Sequence, residues 1–265
     1  MNGLTKKNAQ SSLYIVGAGP GDPELLTIKA YNALKIADVI LFDNLANQKL
    51  LDIAPEHCKK VYVGKKPYEK YASQDQIHEL ISVYAAENQN IVRLKGGDPF
   101  IFGRGFEEAL FARERGMEIH YIPGISSMQA AGMSDIPLTH RGISEGVWVM
   151  TGTKKDGSLS ADLQLAMQSK ATVVIYMGMK KLNEIADTYI YAGKGDTPAA
   201  IIQHASLPNQ KKISCNINEL PAAAANAAIS HPAIIIIGDV IRAADAAIYT
   251  PFIEHRKQCT IRKIA

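Results

Sequence analysis

Cysteine, unbroken apolar runs and an excess of either charge are all scarce in this chain, and each scarcity closes off a class of protein. The three cysteines (Cys58, Cys215 and Cys259) lie far apart without a C-x-x-C pair, and none of the seven histidines recurs at i, i+3 or i, i+4. A disulfide framework and a resident metal are therefore not expected; reduced, buried thiols are. No segment approaches the ~18 consecutive apolar residues of a membrane-spanning helix, so no membrane partner is expected. A net charge of +3 leaves no electrostatic footprint for nucleic acid. The late basic cluster, Arg256, Lys257, Arg262 and Lys263, reads as a solvated tail. Met1 to Ser12 is polar and lacks the apolar core of a signal peptide, so it reads as a loose tail on a cytoplasmic protein.

What is present is ordinary in amount and ordered in pattern. The 265 residues suffice for one large domain or two small ones, and 47% hydrophobic with 21% charged is a globular balance. Apolar strands are predicted at 13–16, 38–43, 60–64, 91–94 and 118–123. Asp22 and Pro23 suit a helix start, with Leu25, Leu26, Ile28, Ala30 and Leu34 as its apolar stripe. Ile77, Leu80, Ile81 and Tyr84 recur at helical spacing, and another helix is predicted from Phe106 to Arg115. A second series of strands follows at 147–152, 172–178, 199–202, 212–217 and 233–237, with an alanine-rich helix at 222–229. Strands apolar throughout suggest sheets covered on both faces. The expected architecture is α/β with two α/β domains, 12–137 and 138–250, joined near 135–146 and flanked by tails 1–11 and 251–265.

Two glycine loops stand out. Val92-Arg-Leu-Lys-Gly-Gly-Asp-Pro-Phe-Ile-Phe-Gly-Arg-Gly-Phe-Glu-Glu108 leaves a strand through Gly96, Gly97 and Asp98 and enters a helix. Ligands of open α/β sheets bind at such carboxyl ends, where backbone N–H and C=O groups are exposed. Val16-Gly-Ala-Gly-Pro-Gly-Asp-Pro-Glu24 is of the same kind. With Asp43 ending the next strand, it invites a nicotinamide reading. Its spacing is G-x-G-x-G rather than G-x-G-x-x-G, however, and Pro20 removes an N–H that a pyrophosphate would need. Gly96, Gly97, Asp98, Ser126 and Ser127, with Met177 as an apolar rim, point instead to a ligand with an adenosine and an amino-acid part. Taken singly, the serines are ordinary turn residues and Met177 an ordinary core residue.

These stretches, together with Pro123-Gly-Ile-Ser-Ser127, Ile136-Pro-Leu-Thr-His-Arg141 and Tyr176-Met-Gly178, closely resemble the uroporphyrinogen-III C-methyltransferases, in that family's order and over about residues 12–245. The resemblance implies the tetrapyrrole methylase fold, a homodimer, and S-adenosylmethionine (SAM) held in a cleft between the two domains. It implies methylation of uroporphyrinogen III at carbons 2 and 7, via precorrin-1 to precorrin-2, for sirohaem or cobalamin, with S-adenosylhomocysteine released. Carried over by motif, Pro20, Gly96, Gly97, Asp98, Ile101, Ser126, Ser127, Met177 and Ala205 line the SAM site. Asp43 matches the family's proton acceptor and Lys65 its proton donor; by themselves the two read as a capping acid and a solvated lysine. Arg93, Arg104 and Arg141 are candidates for the substrate's carboxylates, with Lys65 and Lys66 adding positive charge; Arg93 could equally cap the sheet and Arg104 the following turn. Relatives fused to a dehydrogenase–chelatase part are longer, so a stand-alone methyltransferase is expected.

The chain departs from the family at Asn44, Thr153 and Ala205, which bears on fine specificity and affinity. A sibling methylase acting at another corrinoid carbon, a nicotinamide-dependent oxidoreductase and a non-catalytic SAM-binding module are the alternatives.

Overall fold

The computed structural model describes residues 10–64 and 73–243, and strand follows strand through intervening helices for most of that length. β1 (Ser12–Gly17) leads through a short 3-10 turn, Pro23–Leu25, into α1 (Ile28–Lys35). Asp22 caps only the turn, by accepting the Glu24 N–H at 2.9 Å. Thr27 caps α1, accepting from Ala30 N. The helix predicted to begin at Pro23, capped by Asp22, thus begins five residues later, at Ile28, and Ile28 itself is exposed rather than part of the buried stripe. β2 (Val39–Phe42), β3 (Lys59–Tyr62), α2 (Gln74–Ala85), β4 (Asn90–Lys95), α3 (Gly105–Glu114) and β5 (Glu118–Ile122) complete the first series. All five strands pair in parallel, in the order β3-β2-β4-β1-β5.

Both faces of this sheet are covered, as its uniformly apolar strands require. Ala30, Ala33 and Leu34 of α1 pack with Val16, Ile40, Val92 and Leu94 on one face. Ile77 and Ile81 of α2, with Ala109 and Ala112 of α3, pack with Leu13, Ile15, Leu41 and Ile91 on the other. Each large aliphatic side chain buried this way contributes roughly 1.5–3 kcal/mol.

The second series is β6 (Val147–Thr151), α4 (Asp162–Ala166), β7 (Thr172–Tyr176), α5 (Leu182–Tyr191), β8 (Pro198–Gln203), β9 (Lys211–Asn216), α6 (Leu220–Asn226), β10 (Ala233–Ile237) and α7 (Val240–Ala243). Its sheet, ordered β6-β7-β10-β8-β9, is mixed: β6 and β7 are parallel and the remaining pairs antiparallel. The loop between β8 and β9 spans only His204–Gln210, too short for a parallel crossover, which needs about a dozen residues.

Two compact units result. One comprises the described parts of Met1–Ala130 with His204–Gln210, the other those of Ala131–Gln203 with Lys211–Ala265. The division falls ahead of the expected 135–146 connection, and His204–Gln210 groups with the first unit because it packs there. Ser206 Oγ accepts the Asp22 N–H at 3.0 Å. No helix among the described residues is long and apolar enough to cross a membrane, and these residues contain no His/Cys/Asp/Glu cluster able to hold a metal.

Candidate functional site

The strand order of the first sheet contains one place where neighbouring connections diverge. The chain leaves β1 for α1 on one face and leaves the adjacent β4 for α3 on the other. In open α/β sheets such a switch point opens a crevice at the carboxyl ends of the strands, where ligands bind. Both glycine loops emerge here.

Their backbones first satisfy each other. Gly97 N–H donates to Gly19 O at 2.7 Å and Gly19 N–H to Gly97 O at 3.3 Å, while Ala18 N–H donates to Lys95 O at 2.7 Å. The expectation of free backbone groups is therefore corrected at Gly97, whose N–H and C=O are spent on holding the two loops together. The same bonds leave the Gly17–Gly21 loop without the aligned N–H groups that a pyrophosphate requires, and a three-residue 3-10 turn follows it instead of a long helix. Gly97 has φ +65°, the left-handed region open to glycine, and an added Cβ would sit 3.6 Å from Ser126 Oγ. A Cβ on Gly124 would fall 2.3 Å from Gly97 O, so the β4 and β5 loops approach backbone to backbone at this point.

Asp98 braces this arrangement. Its Oδ1 accepts the Phe100 N–H at 2.8 Å, and its Oδ2 accepts the Tyr121 hydroxyl at 2.7 Å and the Gly124 N–H at 3.2 Å. Burial, and then the hydrogen bond and charge of Asp98, push the Tyr121 phenol up to about 12. Phe100 stacks on Tyr121 with ring centroids 4.0 Å apart. Most of Asp98's acceptor capacity is thus used within the protein.

The other residues expected at the SAM site divide by unit. Pro20, Gly96, Gly97, Asp98, Ile101, Ser126, Ser127 and Ala205 all fall in the first unit, and Met177 in the second. Pro20, Gly96, Gly97, Ile101 and Ser127 are half-buried, and Ser126 and Ala205 are buried. Met177, just beyond β7, is exposed with φ 55°, and the Thr153 hydroxyl donates to its carbonyl at 3.0 Å. The unusual Thr153 thereby helps to hold Met177 in its left-handed conformation.

A charged cluster lies at the same end of the first sheet. Arg93 and Lys95, two apart on β4, share the face that carries α2 and α3. Glu108, in the first turn of α3, lies beneath them; its Oε1 accepts from Lys95 Nζ at 3.0 Å, Gln74 Nε2 at 3.3 Å and Arg93 Nε at 3.4 Å. Arg93 Nη2 donates to Asp43 Oδ2 at 3.0 Å, and Nη1 donates to the carbonyls of Leu94 at 2.9 Å and Leu41 at 3.3 Å. Asp43 also caps its own turn, Oδ1 accepting the Leu45 N–H at 3.0 Å. The adjoining Asn44 accepts from the Tyr62 hydroxyl. Burial and the neighbouring Arg93 hold the Lys95 ammonium below the ordinary lysine value, against the opposing pull of Glu108.

This geometry corrects one substrate assignment. The Arg93 side chain is 3% exposed, and its nitrogens are bound by Asp43, Glu108 and two carbonyls; it has no free fork for an incoming carboxylate. Arg104, 56% exposed, pairs with Glu107 at 2.6 Å, and Arg141 is exposed in the second unit. Lys65 and Lys66 lie outside the described residues. Sequence reasoning missed Glu108 and Tyr121. The only hint of Glu108 was an acid pair opening a helix, which the helix dipole alone would explain.

Residues 12–221 match the family model described as Tetrapyrrole (Corrin/Porphyrin) Methylases. A uroporphyrinogen-III C-methyltransferase of Bacillus subtilis is 41% identical over 232 residues, covering 86% of this chain and 90% of that protein. A siroheme synthase of Chromobacterium violaceum is 39% identical over 236 residues, covering 88% of this chain. The chain spans about half the length of the siroheme synthases it matches, 50% and 49% for two of them. A uroporphyrin-III C-methyl transferase of Thermus thermophilus, solved with S-adenyl homocysteine, aligns with a TM-score of 0.76 at 38% identity, covering 88% of this chain and 100% of that one. The chain belongs to the tetrapyrrole methylase family.

Proposed function

We propose that this chain is a SAM-dependent C-methyltransferase that converts uroporphyrinogen III to precorrin-2, through precorrin-1, by methylation at carbons 2 and 7. The observation that carries the reading is the crevice at the β1/β4 switch point with a carboxylate, Asp43, held at the same edge of the sheet. The names of the Bacillus and Thermus relatives support it. A cytoplasmic homodimer belongs to the same reading, and sedimentation of the purified protein checks the assembly.

The residues present fit SAM. Gly97 leaves open the space a Cβ would occupy beside Ser126, and half-buried Pro20, Gly96, Ile101 and Ser127 offer apolar and polar contacts nearby. Ser126, Ala205 and Met177 complete the proposed set, with Asp98 acting chiefly as the brace of the loops. When bound, SAM supplies a methyl group already activated by its sulfonium, so no protein nucleophile is required. The protein contributes alignment, worth up to ~7–11 kcal/mol in ideal cases. Asp43 would take the proton that the tetrapyrrole loses after a ring carbon is alkylated. Arg104, on exchanging Glu107 for substrate, and Arg141 would bind peripheral carboxylates, for which a guanidinium offers two parallel donors. Lys65 keeps its proposed role as proton donor.

Anaerobic incubation with enzymatically generated uroporphyrinogen III and SAM, followed by mass spectrometry, tests the reading. The expected product carries two added methyl groups with S-adenosylhomocysteine formed, and NMR places them on carbons 2 and 7. SAM binding without transfer to this tetrapyrrole would sink the substrate assignment and turn attention to later corrin intermediates.

A further inference from the structure

Of the four charged side chains gathered at the end of β4, one differs from the rest. Arg93, Lys95 and Glu108 are 3%, 7% and 1% exposed, whereas Asp43 is 24% exposed. A purely structural ion pair would gain most by burying both members; here the cation is sealed in and the anion stands at the surface. Two cations and two anions balance, so the cluster adds no net buried charge. Each Asp43 oxygen accepts one described donor, Leu45 N–H or Arg93 Nη2, and keeps a lone pair free. Glu108 Oε2, 3.3 Å from Arg93 Nε, has no hydrogen-bond donor among the described residues. Glu108 therefore serves Arg93 and Lys95 at some cost to its own satisfaction.

Resting on the reading of Asp43 as proton acceptor, we propose that Arg93 is a positioning residue: its guanidinium, immobilised by Glu108 and the carbonyls of Leu41 and Leu94, fixes the orientation of the Asp43 carboxylate. A base must be oriented and open, and Arg93 supplies the first while leaving the second. The planar guanidinium meets two carboxylates and two carbonyls at once, which an ammonium cannot do with the same orientation. Among the described residues, β4 presents Arg93 and Lys95 toward Asp43, α3 presents Glu108, and the Tyr62 phenol of β3 bonds the adjacent Asn44. Glu108 in turn faces Arg93 and Lys95, Gln74 with His78 behind it on α2, and Arg104 with Asp75 in the same field.

The test uses the full chain carrying Arg93→Met or Arg93→Lys, each alone and combined with Asp43→Asn. Single-turnover methyl transfer to uroporphyrinogen III is followed across substrate concentration, with SAM affinity by calorimetry and thermal melting alongside. Removing the guanidinium in Arg93→Met should slow single-turnover transfer on the order of a hundredfold with the substrate concentration for half-maximal rate unchanged, because Asp43 is no longer aimed. Arg93→Lys should slow transfer on the order of tenfold, because the charge is kept and only part of the orientation lost. Either change should add less than about twofold to the loss in Asp43→Asn, with SAM affinity unchanged, as expected of groups acting through one another. Transfer at the native rate in Arg93→Met, or losses that multiply with that of Asp43→Asn, would overturn the proposal while sparing Asp43. If Asp43→Asn itself transfers at the native rate, the base assignment fails, and positioning with it. Should Arg93→Met not fold, the Arg93→Lys cycle decides, with Glu108→Gln in the same cycle as its second arm.

Discussion

The two units handle polarity in opposite ways. The second builds its core from Met150, Leu163, Ile185, Ile201, Ile217, Leu220, Ile235 and similar residues around a mixed sheet, and its buried polar residues, such as Ser144 and Thr172, are uncharged. The first also has apolar layers on both faces of its sheet, yet it buries Arg93, Lys95, Asp98 and Glu108. All four belong to the stretch that runs from β4 into α3. A buried ion pair is rarely the most stabilising choice, since apolar packing of the same volume often does as well or better. The difference teaches that the first unit bears an electrostatic cost at the carboxyl edge of its sheet, which the second unit avoids.

Substitutions can break or sharpen that contrast. The largest effect on stability is expected for Glu108→Ala, which strands Lys95 and takes one carboxylate from Arg93 and should cost about 3–5 kcal/mol, with methyl transfer per folded molecule also falling. Leu220→Ala in the second unit should cost a comparable ~2–5 kcal/mol through the cavity it leaves, with transfer per folded molecule unchanged. Denaturant melts paired with single-turnover assays compare the two, and equal activity losses would erase the contrast. Gly124→Ala pushes a Cβ to within 2.3 Å of Gly97 O. It should cost roughly 1–3 kcal/mol as overpacking does, and SAM titration should show weakened binding.

Tyr121→Phe removes the hydroxyl held by Asp98 and should cost about 0.5–1.5 kcal/mol. Because the folded phenol titrates about 12, above its ordinary 10.0, its stabilising effect is complete below pH 10.0 and lost as pH rises through about 12. Melts of the native protein should therefore weaken over that window more than those of Tyr121→Phe. Thr153→Val, at an exposed bond to Met177, should have the smallest effect, about 0.5 kcal/mol in the same melts.

Much of the fold was legible because its signal is local. Ala233–Ile237 is a strand as expected, and β1, β2, β4 and α2 fall within a few residues of their apolar patterns. The first helix was misplaced because Asp22 and Thr27 are both good caps, and only the fold shows that the first closes a single 3-10 turn. The glycine loops were visible, but their pairing through Gly19 and Gly97 depends on two strands adjacent in space and far apart in sequence. The same holds for Arg93 and Asp43, which meet because Arg93 stands opposite Leu41 in the β2–β4 register. Read from sequence, Arg93 could bind a substrate carboxylate or cap the sheet. Its burial is a tertiary fact that no local pattern records.

The most direct test of the account is Asp43→Asn, assayed by single-turnover methyl transfer to uroporphyrinogen III with SAM affinity measured in parallel. Asparagine keeps the shape and the acceptor for Arg93 but cannot take a proton. The account predicts transfer slowed by ~10²–10⁴-fold, the usual worth of a general base, with SAM affinity and melting temperature near native. Transfer at the native rate would contradict it.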